Sequence, residues 1–315
     1  MLSIIARRFA GLLLTLTVMS AAVFVVMEVV PGDPAAIQLG TSARPDTLAA
    51  LRASMGLDQP ALVRYLAWVG GMLHGDFGTS FTYGVPVAGL IAERLAVTLP
   101  LAVMAIVLST LIAIPLGVLA AARHGKAADY GATLFAQLCL AVPNFWIGLL
   151  LIVVFAVGLG WFPAGGFPGW SAGIGASLKA LLLPALALAL PQSAVLARVM
   201  RAAVLDVMGE EFVATARAKG LTRRATLWRH VVPNALVPVV TILGLQFSFL
   251  IAGAVLVENV FVLPGLGRLA FQALAQRDLL VIRDVVMFLA ALVVVVNFLV
   301  DMAYLVLDPR LRGRT

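Results

Sequence analysis

Charged side chains make up only 12% of this chain, against roughly 25% in ordinary soluble domains. A larger core cannot account for a deficit of that size, because core size grows slowly with length. A soluble globular fold is therefore excluded. Cysteine is nearly absent. The single Cys139 lies inside an apolar run, which rules out an internal disulfide. No Gly-x-x-x-x-Gly-Lys-[Ser/Thr] phosphate loop occurs: Gly125-Lys126 is the only Gly-Lys pair, and Ala120 stands five residues before Gly125. His-Glu-x-x-His and Gly-x-Ser-x-Gly are missing too, which removes the motif-bearing membrane hydrolases. Ionisable residues deep in apolar runs are scarce, and ion-coupled secondary transporters and self-sufficient channels often carry them there.

What the chain has is hydrophobic sequence, 62% of it, gathered into long runs. Leu95–Ala122 and Gly131–Phe162 contain no charge, and Phe9–Val30 contains only Glu28. A bilayer core needs about 20 apolar residues in a helix. The runs predict an all-α integral membrane protein with six transmembrane helices, at about 9–30, 95–121, 131–160, 178–200, 234–257 and 284–307. Pro184, Pro191 and Pro238 fall inside the fourth and fifth spans. Membrane helices tolerate such prolines where neighbours satisfy the freed carbonyls, so these two spans should be packed or pathway-lining. Arg7 and Arg8 precede the first run as in a signal peptide, but the run exceeds the roughly 7–15 residues of a signal core and reads as a retained anchor instead of one cleaved near Ala22. The organisation expected is an anchor helix (1–30), an external region (31–94) and a core domain (95–315).

The net charge of +7 reads as membrane topology, not nucleic-acid binding. With the N-terminus inside, 14 of the 22 Lys and Arg residues fall in inner segments, which are also the shorter ones. The bias places both termini in the cytoplasm. Region 31–94 opens with the turn Pro31-Gly32-Asp33-Pro34. It then offers a short helix over Arg64–His74, broken by Gly75-Asp76-Phe77-Gly78. It is either a surface loop folded on the membrane or a docking platform. Region 258–283, with Pro264-Gly265-Leu266-Gly267 before a helical stretch Arg268–Arg277, suits an interfacial helix or a re-entrant segment.

Residues 201–233 are the most charged stretch. Asp206, Glu210 and Glu211 stand near the start of a helical pattern over about 208–219, and Arg217 and Lys219 at its end, complementing the helix dipole. Gly220 supplies a left-handed C′ position, and Thr222 can cap a second helix over Arg223–Val232 before Pro233. Phe212, Val213 and Ala216 give the first helix a small apolar face. The result is a helix–turn–helix, either an amphipathic connector on headgroups or a knob for a groove on a cytoplasmic partner. Small residues at its tip (Ala214, Thr215, Ala216, Ala218 and Gly220) permit close backbone approach and favour the knob.

Glu211-Phe212-Val213-Ala214-Thr215-Ala216-Arg217-Ala218-Lys219-Gly220-Leu221, followed by Pro233-Asn234-Ala235-Leu236 and Pro238-Val239-Val240-Thr241, resembles the "EAA" loop of ABC importer permeases, most closely the dipeptide, oligopeptide and nickel family. Ala214 stands where the loop's name-giving Glu would be, and His230 takes a hydrophobic place. The Pro31 turn, Gly56-Leu57-Asp58-Gln59-Pro60, Gly75-Asp76-Phe77-Gly78, Pro264-Gly265-Leu266-Gly267-Arg268 and Leu307-Asp308-Pro309-Arg310 are similar to that family's first permease subunit, in the same order. Dipeptide and glutathione importers are the nearest branches. The resemblance implies a type I importer in the bacterial inner membrane and a second homologous permease subunit. It also implies two cytoplasmic ATP-binding subunits that grip residues 211–221 and an extracytoplasmic binding protein that delivers substrate. This chain would bind no cofactor, ATP and Mg residing on the ATPase subunits.

Charges near the spans carry further expectations. Glu28 and Glu258 sit at outer ends and read as interface residues, while Asp301 lies deeper and reads as a structural pair. Trp146, Trp161 and Trp170 read as interfacial anchors. His74, His124 and His230 are too scattered for a metal site.

Overall fold

The computed structural model describes residues 2–29, 34–39 and 44–307. Residues Pro31, Gly32 and Asp33 of the first turn lie outside the described residues, as do Asp308-Pro309-Arg310, Arg312 and Arg314. In chain order the helices are α1 (Leu2–Val29), α2 (Pro34–Leu39), α3 (Pro45–Ser54), α4 (Ala61–Leu73), α5 (Val87–Ala122), α6 (Ala127–Ala141) and α7 (Asn144–Leu151). They continue with α8 (Ile174–Met208), α9 (Glu211–Ala218), α10 (Arg223–Thr226), α11 (Val232–Val260), α12 (Leu266–Gln276) and α13 (Leu279–Leu307). Pairing of the β type is limited, among the described residues, to one isolated bridge between Thr79 and Pro86. The all-α class expected from composition is the class found.

Among the described residues, five helical stretches are long and apolar enough to cross a bilayer: Ile5–Val29, Val87–Ala122, Ile174–Met208, Arg223–Val260 and Leu279–Met302. The sixth expected span, 131–160, is not one straight helix. It is the pair α6 and α7, bent by 102°. The cause is local. A residue before proline is driven out of the helical region, and Val142, which precedes Pro143, is extended at φ −99°, ψ 125°. Beyond α7 the chain widens into a π-helical stretch, Ile152–Gly158.

By contacts the chain divides into two units, Met1–Val97 with Gly265–Thr315, and Thr98–Pro264. In the first, α1 and α13 run against each other. Phe9 and Phe298 meet edge to face at 6.2 Å, and Arg8 pairs with Asp301, the structural pairing expected for that aspartate. Tyr65 and Trp68 of α4 pack around Phe24 of α1, and the hydroxyls of Ser20 and Tyr65 are 2.8 Å apart. Glu28 is paired with Arg64. After α4 the chain breaks at the glycines expected to break it: Gly75 and Gly78 have φ of +79° and +73°. Two buried aspartates then tie this segment to α12 and α13. Asp278 accepts from Ser80 Oγ (2.6 Å), Thr82 N (3.0 Å) and Val281 N (3.2 Å). Asp284 accepts from Trp68 Nε1 at 2.7 Å. The helix expected near Arg268–Arg277 forms as α12. It buries Leu266, Leu269 and Ala273, on one face at helical spacing, against Val87, Ile91, Val281 and Val285.

In the second unit α8 is the central element, packed by α6, α7 and α11. Its prolines Pro184 and Pro191 sit within that packed helix, and Pro184 is buried. Contact with the C-terminal half of α5 is so close that a Cβ on Gly117 would lie 2.7 Å from the Ala197 carbonyl oxygen. The expectation for Glu258 is corrected here. It is fully buried in the protein instead of open to headgroup water, and accepts the Thr98 hydroxyl at 2.6 Å. α11 stops two residues later, and the chain folds back so that Leu263 N donates to the Glu258 carbonyl at 2.9 Å.

Candidate functional site

The hairpin between α8 and α11 carries every residue the sequence assigned to coupling. α8 ends at Met208, where Gly209 caps it by donating to the Asp206 carbonyl at 3.0 Å. Asp206 therefore lies in the last turn of α8, a correction to the sequence reading, which placed it near the start of the next helix. Glu210 is extended (φ −73°, ψ 146°) and stands as N-cap, its carbonyl accepting from Val213 N at 3.0 Å. Glu211 lies in the first turn and Arg217 in the last, the polarity that suits the helix dipole. At the C-terminus Lys219 N, Gly220 N and Leu221 N donate to the carbonyls of Thr215, Arg217 and Ala216. Gly220 takes φ +88°, the left-handed conformation assigned to it.

The eight residues of α9 bury just two side chains, Val213 and Ala216, three apart on one face. Val213 enters a cluster with Ala113 and Val118 of α5, Leu196, Met200 and Val204 of α8, and Val232, Ala235 and Val239 of α11. Val213 thereby joins α9 to an apolar cluster drawn from three spans, and Ala216 is the other buried side chain of the helix. Glu211, Ala214, Thr215, Arg217, Ala218, Lys219 and Gly220 are exposed, Leu221 is half-buried, and Phe212 leaves 43% of its surface uncovered. A short helix with a buried inner side and an exposed side that mixes small residues with Glu211, Arg217 and Lys219 is a shape that a groove can take.

The return arm differs from expectation. Thr222 caps it as assigned, its Oγ1 accepting from Ala225 N at 3.2 Å. The arm does not stop near Val232, however. It passes through a π-helical turn, Leu227–Val231, straight into α11. Pro233 has no N–H to give, and just before it the ladder widens so that Val232 N bonds the Leu227 carbonyl five residues back. The Asn234 side chain takes up the His230 carbonyl at 2.6 Å.

A charged node on the same side of this unit was not foreseen. Asp129, in the first turn of α6 and 4% exposed, receives a two-pronged bond from Arg201 of α8: Nε to Oδ1 at 2.6 Å and a terminal nitrogen to Oδ2 at 2.8 Å. Gly125 N donates to Oδ2 at 3.0 Å, and His124 Nδ1 lies 3.0 Å from the same oxygen. The node fastens the α5–α6 turn to α8 two turns before α8 ends. One signal could have revealed it: a carboxylate standing alone at the head of a charge-free run needs a partner.

Residues 113–313 match the family described as binding-protein-dependent transport system inner membrane component, and residues 1–102 match that family's N-terminal region. The chain belongs to this family. It is a multi-pass protein of the bacterial inner membrane and an ABC importer permease subunit. The oligopeptide transport system permease protein of Bacillus subtilis is 42% identical over 303 residues, covering 95% of each chain. The glutathione transport system permease protein of Salmonella choleraesuis is 35% identical over 312 residues, covering 99% of each. Among solved structures, a chain of the MetNI methionine ABC transporter in an inward-facing conformation aligns with 70% of this chain and 96% of its own. The TM-score is 0.55 at 18% identity, and the likeness is one of fold, that of a type I importer permease. Among the described residues of this permease no group of three or more His, Cys, Asp or Glu could hold a metal.

Proposed function

We propose that this permease subunit forms half of the membrane pathway of an ATP-driven importer of small peptides, with α9 as the handle through which cytoplasmic ATPase subunits act. Both termini and the α9 hairpin lie in the cytoplasm in this reading. A second, homologous permease completes the pathway. Two ATPase subunits hold ATP and Mg, and an extracytoplasmic binding protein brings the peptide. Relatives that cover nearly the whole chain and carry peptide and glutathione transport in their names support the substrate class. One observation carries the mechanism: α9 is exposed along most of its length yet buries Val213 in an apolar cluster to which α5, α8 and α11 all contribute. A displacement of α9 therefore bears on three spans at once.

The alternative of an ion-coupled transporter is disfavoured by what the buried carboxylates do. Asp129, Glu258, Asp278 and Asp284 are more numerous than the sequence led one to expect, but each accepts at least one hydrogen bond from a protein donor, and Asp284 Oδ2 is the one buried oxygen among them left unpartnered in the described residues. Carboxylates spent on structure are poorly placed to load and release ions.

The test is Gly220→Pro, which forbids φ +88°, beside Ala216→Arg, which forces a charge into the seated face. Both variants should insert in the membrane at normal levels. Both should lose binding-protein-dependent peptide uptake while ATP hydrolysis by the assembled complex persists. Uptake at the wild-type rate in either variant sinks the handle assignment.

A further inference from the structure

The first unit holds a cavity of about 270 Å³ in which the α9 hairpin has no part. Phe24 and Met27 of α1, Leu57 of the α3–α4 turn and Leu280 of α13 give it apolar walls. Three charged side chains line it as well: Glu28 of α1, Arg64 of α4 and Arg283 of α13. Its volume falls just below the roughly 300–1,000 Å³ of drug-sized sites and suits a ligand of about one residue.

Arg283 is held in place before any ligand arrives. Its Nε donates to the buried Asp284 Oδ1 at 3.1 Å, and its guanidinium carbon lies over the Trp68 ring, 4.6 Å from the ring centre. The Trp68 indole N–H donates to the same oxygen at 2.7 Å. One edge and one face of the guanidinium are therefore fixed. Its terminal nitrogens have no partner among the described residues. A fork fixed in advance loses little freedom on closing over an anion, and it meets a carboxylate with two bonds at once. Arg64 adds a donor. A terminal nitrogen pairs with Glu28, but its Nε is buried with no partner among the described residues. Buried polar groups in folded proteins are rarely left so.

We infer that this cavity binds an apolar residue with a free α-carboxylate, the carboxylate on the Arg283 fork and the side chain among Phe24, Met27, Leu57 and Leu280. Charge decides against a phosphate. Arg64 faces Glu28 and Arg283 faces Asp284, so the cavity offers N–H donors with little surplus positive charge, which suits a monoanion better than a dianion. Two sources carry this chemistry, a free apolar amino acid and the C-terminal residue of a short peptide. For the first, Glu28 lines the same cavity and supplies a counter-charge to the ammonium group. The inference uses neither the α9 handle nor the ATPase subunits and can fail while they stand.

The experiment is isothermal titration calorimetry on the membrane complex, purified without a binding protein, with leucine, glycyl-leucine, leucinamide and glycine as probes. Binding of leucine assigns the free amino acid, and binding of glycyl-leucine alone assigns the peptide end. Leucinamide should bind about tenfold more weakly than leucine or not at all, since the charge-assisted bonds are lost. Glycine should fall by about tenfold as well, for want of the buried side chain. Arg283→Gln removes the fork and should weaken the bound probe about tenfold. Leu57→Trp fills the cavity from a turn, leaves Arg283 and Asp284 as they are, and should abolish binding; it carries the test if Arg283→Gln fails to assemble. Gly220→Pro should bind the probe like wild type, so loss of coupling and loss of this site read out separately. The inference is overturned if neither leucine nor glycyl-leucine binds, or if leucinamide binds as tightly as leucine. Unchanged affinity in Leu57→Trp would place the ligand elsewhere in the complex and overturn it too.

Discussion

Val213→Ala should loosen α9 from its seat without unfolding the spans. Val213 is 1% exposed, and the substitution removes two methyl groups from the apolar cluster that α5, α8 and α11 share with it. At about 0.8 kcal/mol for each buried methylene-sized group, the seat weakens by about 1.6 kcal/mol. The helix has one other buried side chain, Ala216, so nearly the whole loss falls on the docking of α9. A change of about 1.4 kcal/mol is tenfold in an equilibrium, and local opening of α9 should therefore rise about 15-fold. Hydrogen exchange reads this directly. The amides of Lys219 and Gly220, bonded to the Thr215 and Arg217 carbonyls at 3.1 and 2.9 Å, should exchange about 15 times faster, while those in the middle of α8 and α11 hold their rates. Ala214→Ser alters only the exposed face and should change the same amides by about twofold, its helix-propensity cost. Equal acceleration across α8, α9 and α11 would mean that Val213 supports the whole unit and not the seat of one helix. No acceleration would mean that α9 is held by something other than its buried face.

Gly117→Ala should place a methyl group 2.7 Å from the Ala197 carbonyl oxygen and the Met200 Cβ; thermal unfolding in detergent should show a loss of roughly 1–3 kcal/mol. Trp68→Phe keeps the ring stack but removes the donor 2.7 Å from the buried Asp284, costing about 1–3 kcal/mol in the same assay. Asp129→Ala should destabilise the protein by stranding Arg201, and Arg201→Ala added to it should cost little more; two additive losses in that double-mutant cycle would show that the two residues do not act as a pair.

Features set by neighbours in sequence are legible in the sequence itself. Gly220 must be left-handed because a helix with bases in its last turn ends there, and it is. Thr222 caps because its hydroxyl reaches three residues ahead, and it does. The apolar runs marked the spans because bilayer thickness sets their length. Features set across the chain were hidden. Arg201 and Asp129 are 72 residues apart, and Glu258 and Thr98 are 160 apart, so no local period announces either pair. The break at Val142-Pro143 was legible in principle. Charge-free composition says that a run can span without saying that it is straight, so composition does not announce the bend. The continuity of the return arm into α11 escaped for the opposite reason. Pro233 reads as a stop, but one widened turn carries the chain past it.

That widened turn has a mechanical result. From Arg223 to Val260 the backbone is one rod of 38 residues, about 57 Å long at 1.5 Å per residue. If α9 is the handle proposed above, a thrust delivered at Thr222 would meet no loop before the far end of this stretch, where Glu258 accepts the Thr98 hydroxyl. Two irregular places lie along the way, the widened turn Leu227–Val231 and Pro238 inside α11, and stiffening or softening them should change how much of the proposed motion arrives.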